Sequence, residues 1–227
     1  MDESAEAAHL VVMRAVLDKI GREDLLLKGG TALMFGYGIQ RVSRDLDFDA
    51  RRPIRDIEEK LKDLDIDDVT VVGIDTLKNT ETITRYRVRY ESPQGLQSLK
   101  VEISYRQPFD ESDDVLTVEG IRFASLPRLI DQKLRAAHDG DHLRTRARDL
   151  YDLDFLATNY PDAFTKSLAE RLAAFSEDLE LLFSRYKPAF EEDDFEITDA
   201  NLEEMVLRLH ENVRRIRHRI ETSRTIP

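Results

Sequence analysis

Leu25-Leu26-Leu27-Lys28-Gly29-Gly30-Thr31, followed after thirteen intervening residues by Asp45-Leu46-Asp47-Phe48-Asp49, is the stretch that decides the fold. Three consecutive leucines bounded by a break predict a short buried strand over 25–27. Gly29-Gly30 ends it, and Thr31 opens a short helix over 32–37. In Asp45–Asp49 the apolar residues Leu46 and Phe48 alternate with three acids. That period of two predicts a strand with one apolar and one acidic face.

Two aspartates at a spacing of two project to the same side of a strand. Asp45 and Asp47 can therefore bind a metal together, and Asp49 extends their row. Magnesium takes oxygen ligands, commonly one or two carboxylates together with phosphate and water. Glu102, alone between Val101 and Ile103, is a candidate third carboxylate from another strand. An ordinary exposed strand residue would give the same pattern, and spacing leaves both readings open. Backbone N–H groups at the Gly29-Gly30-Thr31 turn can cradle a phosphate, with the Thr31 hydroxyl as a further donor.

Outward from this core, residues 4–20 carry a helical apolar period that stops at Gly21. A helix is predicted over 55–64 and strands over 69–74, 80–90, 96–105 and 118–123. Ser92-Pro93-Gln94-Gly95 reads as a hairpin turn. From Ser125, a candidate N-cap with Pro127 in the first turn, the pattern becomes helical. Helices are predicted over 125–138, 142–157, 162–175, 177–187 and 199–222. The acidic loop Glu191-Glu192-Asp193-Asp194 separates the last two. The expected class is α+β, with a mixed-sheet domain over 1–124 and a helical domain over 125–227.

Bulk composition narrows the function. The chain has 227 residues and a net charge of −12, which argues against a general nucleic-acid coat. Positive charge gathers locally: 122–151 holds seven Lys/Arg against four acids, and 208–224 six Arg against two. Taken alone these are solvated helix faces. The absence of cysteine excludes disulfides and thiolate zinc sites, and fits the cytoplasm. No apolar run reaches a membrane span, and the acidic start is unlike a secretory signal. His9, His138, His142, His210 and His218 have no ligand spacing and read as structural or exposed. No Ser/His/Asp nucleophilic set is evident. Tyr37 and Phe48 read as packing.

The Gly-Gly turn, the paired acids and a third acid on a later strand resemble the polymerase-β-like nucleotidyltransferase superfamily. More narrowly, Lys28-Gly29-Gly30-Thr31-Ala32-Leu33 with Arg41-Val42-Ser43-Arg44-Asp45-Leu46-Asp47-Phe48 looks like the AbiEii/AbiGii toxin family. Leu129–Ala136, around Lys133, and Arg146-Ala147-Arg148-Asp149-Leu150-Tyr151-Asp152-Leu153 are similar to that family's later motifs. The match spans about 28–156.

The resemblance implies a polymerase-β-like mixed sheet with a helical C-terminal bundle that contributes a Lys and an Asp to the site. It implies transfer of a nucleoside monophosphate (NMP) from a nucleoside triphosphate (NTP) with magnesium, by a toxin of a toxin–antitoxin or abortive-infection operon. Some members are thought to act on the tRNA 3′ end, and the partner antitoxin typically carries a winged helix. Asp45, Asp47 and Glu102 become expected metal ligands, and Lys133 an expected counter-charge to the triphosphate. Without the family match, Lys133 is a surface lysine. Asp149 and Asp152 share a helix face, and either can orient Lys133 or position the attacking hydroxyl; the motif favours Asp149. Arg148 and Asp152 can equally form a surface ion pair. Ser43, Arg44 and Arg41 are candidate phosphate or base contacts. A protein side chain or small molecule as acceptor, and a non-catalytic module that binds NTP or antitoxin, are the alternative readings.

Overall fold

A period of two governs most of the first half of the chain. In Ile83-Thr84-Arg85-Tyr86-Arg87-Val88-Arg89-Tyr90, arginines alternate with residues that are largely buried. The computed structural model describes residues 3–110, 115–140, 144–192 and 201–222. Two compact units emerge: 1–38 with 42–125, and 39–41 with 126–227.

In the first unit, helix α1 (Glu3–Ile20) leads to strand β1 (Leu25–Lys28), helix α2 (Gly29–Tyr37) and strand β2 (Asp45–Ala50). Helix α3 (Ile57–Lys62) follows. Then come strands β3 (Thr70–Thr80), β4 (Ile83–Ser92), β5 (Gly95–Ser104), β6 (Val115–Val118) and β7 (Ile121–Ala124). The seven strands form one mixed sheet in the order β3-β4-β5-β2-β1-β7-β6. β2 runs parallel to β5 and antiparallel to β1.

Register makes the sheet two-sided. One face carries Tyr86, Val101 and Leu46 in one cross-strand row, and Ile103, Phe48 and Leu27 in the next, all buried. The other carries Arg85, Glu102, Asp47 and Lys28 in one row, and Arg87, Lys100 and Asp45 in the next. Directly opposite residues share a face, so a slip of one residue would put the acids into the core.

In the second unit, α4 (Leu126–Leu134) runs into a π-helical turn, Arg135–Asp139. α5 (Ala147–Asn159), a 3₁₀ turn (Pro161–Ala163), α6 (Lys166–Phe175), α7 (Leu179–Glu192) and α8 (Leu202–Thr222) complete it. α8 packs on α5, α6 and α7 through Met205, Val206, Leu209, Val213 and Ile216. Among the described residues, no helix is long and apolar enough to cross a membrane.

Several element boundaries depart from the sequence expectation. Gly29 and Gly30 are the first residues of α2 rather than a turn before it. The strand expected to end at 74 continues to Thr80 and turns at Glu81-Thr82. It is an edge strand with register shifts: none of its residues is buried and 76–80 are all exposed, so no apolar alternation marks its second half. The single strand expected over 118–123 is a hairpin: Glu119 and Gly120 are both left-handed (φ 53° and 81°), as a two-residue type I′ turn requires. The 55–64 helix is shorter, and that expected from 142 begins at Ala147. Glu191 and Glu192 of the expected acidic loop end α7, while Asp193 and Asp194 lie outside the described residues. Ser125 does not cap α4 through its side chain; its buried Oγ has no hydrogen-bond partner among the described residues.

Candidate active site

β2 positions the acid row in the first unit. Asp47 stands between Lys28 of β1 and Glu102 of β5, and Asp45 beside Lys100. Most of these carboxylates have a cation. Lys100 Nζ donates to Asp45 Oδ2 at 2.6 Å, Arg85 Nη2 lies 2.6 Å from Glu102 Oε2, and Lys28 pairs with the fully buried Asp49. Asp47 differs: its carboxylate has no ion pair or hydrogen bond among the described residues. Burial pushes the Asp47 carboxyl above the usual range. Lys100 pulls it back, and the like charges of Asp45 and Glu102 raise it further.

Beside Asp47 lies the start of α2. Gly29 is left-handed at φ 70°, and a Cβ there would stand 3.6 Å from Asp47 Oδ2. Glycine thus fits both the backbone bend and the close approach. The first-turn N–H groups of α2 lack intrahelical acceptors, no acid occupies that turn, and the helix dipole adds positive potential. The Thr31 hydroxyl is otherwise engaged. Thr31 Oγ1 lies 2.5 Å from the Asp45 carbonyl and 2.8 Å from Ser43 Oγ, tying the helix start to the strand start. Arg44 is exposed, and its carbonyl accepts from His9 Nε2 at 2.9 Å. His9 Nδ1 lies 2.6 Å from the Tyr90 hydroxyl, so a buried imidazole fixes the chain just before Asp45.

The donor set suits a hard dication: oxygen ligands, mutual repulsion, and one unpaired acid at the centre. Among the described residues, however, no three carboxylate or imidazole side chains converge as a ready metal cluster. Asp45 and Glu102 are turned onto Lys100 and Arg85, and both pairs must open for the acids to meet a metal.

The second unit has its own charge cluster. Lys133 is buried, with Nζ 3.0 Å from Asp149 Oδ1 and 2.5 Å from Asp152 Oδ2, both carboxylates fully buried. Asp152 also accepts from Arg41 Nε at 2.6 Å and Nη2 at 2.7 Å. Arg144 Nε donates to Asp149 at 2.7 Å. Burial pushes the Asp149 carboxyl up, but Lys133 and Arg144 overcome it and hold it down to about 2. Three cations on two acids leave a surplus positive charge beside Lys133, suited to an anion.

Arg41, a candidate phosphate or base contact from the sequence, is buried and tethers Asp152, and Asp152 pairs with Arg41 and Lys133 rather than Arg148. Arg148 is half-buried, with no ion pair or hydrogen bond among the described residues. Phe48 is core, and Tyr37 donates to the Ala124 carbonyl at 2.8 Å. His138 meets the edge of Phe175, and His142 lies outside the described residues.

The sequence reading gave no role to Lys28, Lys100, Arg85 or Arg144. Lys100 had a signal, two residues before Glu102 on the same strand face. Arg144 had none, because 144–146 is not helical.

Comparison with known proteins gives the family and the fold. The sequence profile of the nucleotidyl transferase AbiEii toxin, Type IV TA system, matches residues 11–224. The chain belongs to the AbiEii nucleotidyltransferase toxin family. Two solved structures from Helicobacter pylori are similar to this AbiEii chain throughout. One, provisionally named a nucleotidyltransferase, is 39% identical with a TM-score of 0.91, covering 98% of each chain. The other, JHP933, is 38% identical with a TM-score of 0.92, covering 98% of this chain and 96% of its own. No match was found among curated proteins.

Two outcomes follow for the AbiEii chain in urea unfolding. Burial holds the His9 imidazole below its ordinary 6.5, with the Arg44 carbonyl and Asp45 opposing. The unfolded chain then binds the proton first, so His9 contributes stability that is full above pH 6.5 and declines as pH falls below it. His9→Asn should flatten that decline; an unchanged profile would contradict it. Asp149→Asn, which leaves Lys133 and Arg144 under-compensated, should cost roughly 3 kcal/mol or more. A loss well under 1 kcal/mol would show the cluster to be solvated.

Proposed function

We propose that this family member transfers an NMP from an NTP to an RNA acceptor, the tRNA 3′ end, with magnesium. The observation that carries the reading is the Asp45–Asp47–Glu102 row beside the Gly29–Gly30–Thr31 helix start. The acceptor hydroxyl oxygen attacks the α-phosphorus and its proton passes to solvent water, the new phosphodiester bond forms, and pyrophosphate leaves with the bridging oxygen and the electrons of the broken bond from the α-phosphorus to that oxygen. Such a reaction needs positioning and charge stabilisation more than covalent help from the protein.

Asp45 and Asp47, with Glu102, would hold magnesium, which when bound supplies charge neutralisation and alignment of the triphosphate. The backbone amides of Gly29, Gly30 and Thr31 hold phosphate oxygens. Lys133 supplies a fixed positive charge for phosphate. Asp149, ionised at neutral pH and a poor proton acceptor at about 2, orients Lys133 rather than acting as a base. Asp152 does the same from its other oxygen, and Arg41 holds Asp152. Ser43 and Arg44 flank the phosphate side of β2, and Arg148 is free to meet RNA or nucleotide.

The family assignment supports an antitoxin partner, which we take to be a winged-helix protein from the same operon. It also supports action in the cytoplasm, where NTPs, magnesium and tRNA coexist. Incubation with magnesium, each labelled NTP and total tRNA should label RNA, and Asp47→Ala should reduce labelling at least a hundredfold. Label on a protein band or small molecule, with RNA unlabelled, would move the acceptor. Label on nothing would leave a binding module.

A further inference from the structure

The sheet's acidic face does not end at Glu102. Beyond it, on β4, Arg85, Arg87 and Arg89 point to the same face at a spacing of two. Register places Arg85 opposite Glu102, Arg87 opposite Lys100, and Lys78 of the edge strand β3 opposite Arg85. Five cations, set against Asp75, Glu91 and Glu102, thus occupy the β3–β4–β5 end of this face in a protein of net charge −12. Arg85 is engaged by Glu102, Lys100 by Asp45, and Arg89 by Asp75. Arg87 and Lys78 are exposed and have no ion pair or hydrogen bond among the described residues. The Arg89 guanidinium lies over Gly73, where a Cβ would come within 2.5 Å of Nη2, so the backbone of β3 leaves room for it.

Position turns this patch into more than a solvated strand face. Along the order β4-β5-β2-β1, the acids occupy the middle strands and the α2 start follows β1. The arginine row lies on the opposite flank. Two strand steps of about 4.8 Å separate β4 from Asp47. Alternate residues on β4 are about 6.8 Å apart, a stride that lets successive guanidiniums meet successive backbone charges. An NTP held at the α2 amides leaves this flank for the other substrate.

We propose that the β4 arginine row, with Lys78, is the track for the phosphodiester backbone of a single-stranded RNA acceptor, whose 3′ hydroxyl is delivered to Asp47 and Glu102. The occupant is set by charge: a repeated anion, at a regular stride, ending at a carboxylate centre. This rests on the RNA-acceptor reading above and adds where the acceptor lies. The basic face of α8, with Arg214, Arg215 and Arg217 exposed, is the competing surface.

The test uses the full chain and a labelled single-stranded RNA oligonucleotide in anisotropy titrations across a salt series. Lys78→Glu/Arg87→Glu should weaken RNA binding roughly tenfold or more and flatten the salt slope by one to two. Its KM for NTP should stay within about twofold, which a misfolded variant would not allow. Arg214→Glu/Arg217→Glu should change RNA affinity by less than about twofold. Unchanged affinity and slope in the Lys78/Arg87 variant, or a loss confined to the α8 pair, overturns the proposal while RNA labelling by the wild type leaves the proposed function standing. If the wild type labels only protein or small molecules, the RNA reading fails and the track with it.

Discussion

Carboxylates on adjacent positions of one sheet face repel each other, and burial makes the repulsion worse. The molecule holds Asp45, Asp49 and Glu102 there by setting Lys100, Lys28 and Arg85 beside them, one cation for each. Asp47 has none of its own, and its raised carboxyl records the cost. The rest of the first unit follows from keeping that row in register. Leu46 and Phe48 lock β2 into the core on the other face, and Gly29 lets the α2 start come against Asp47 without a side chain. A dication at Asp47 would relieve the repulsion that the protein's own cations only partly offset.

The second unit solves the same problem more completely. Asp149 and Asp152 are wholly buried and share Lys133, while Arg41 and Arg144 close the remaining oxygens. Removing one member of such a network costs more than the network contributes, because a buried charge is left uncompensated. Its geometry is correspondingly rigid, and a rigid lysine with surplus positive charge around it is well suited to an anionic phosphate.

What the sequence disclosed and what it hid divide along one line. Local periodicity was readable: the period of two placed Asp45 and Asp47 on one face, and helical spacing put Asp149 and Asp152 together. The α+β class and the family followed from motifs that are local in the same sense. Long-range pairing was not readable. Arg41 and Asp152 are 111 residues apart, and His9 grips a carbonyl 35 residues away. Nothing in spacing announces either. The β4 arginines gained a meaning only when register set Arg85 opposite Glu102 and Arg87 opposite Lys100. Edge strand β3 misled because residues exposed on both sides need no apolar alternation.

The proposed reaction requires the acid row to be a magnesium–triphosphate site centred on the unpaired Asp47. Calorimetric titration of NTP into the wild type and Asp47→Asn, each with and without magnesium, decides whether it is. Magnesium should tighten NTP binding to the wild type at least tenfold, and Asp47→Asn should abolish the enhancement. NTP binding of equal strength with and without magnesium, or an enhancement that survives Asp47→Asn, would contradict it.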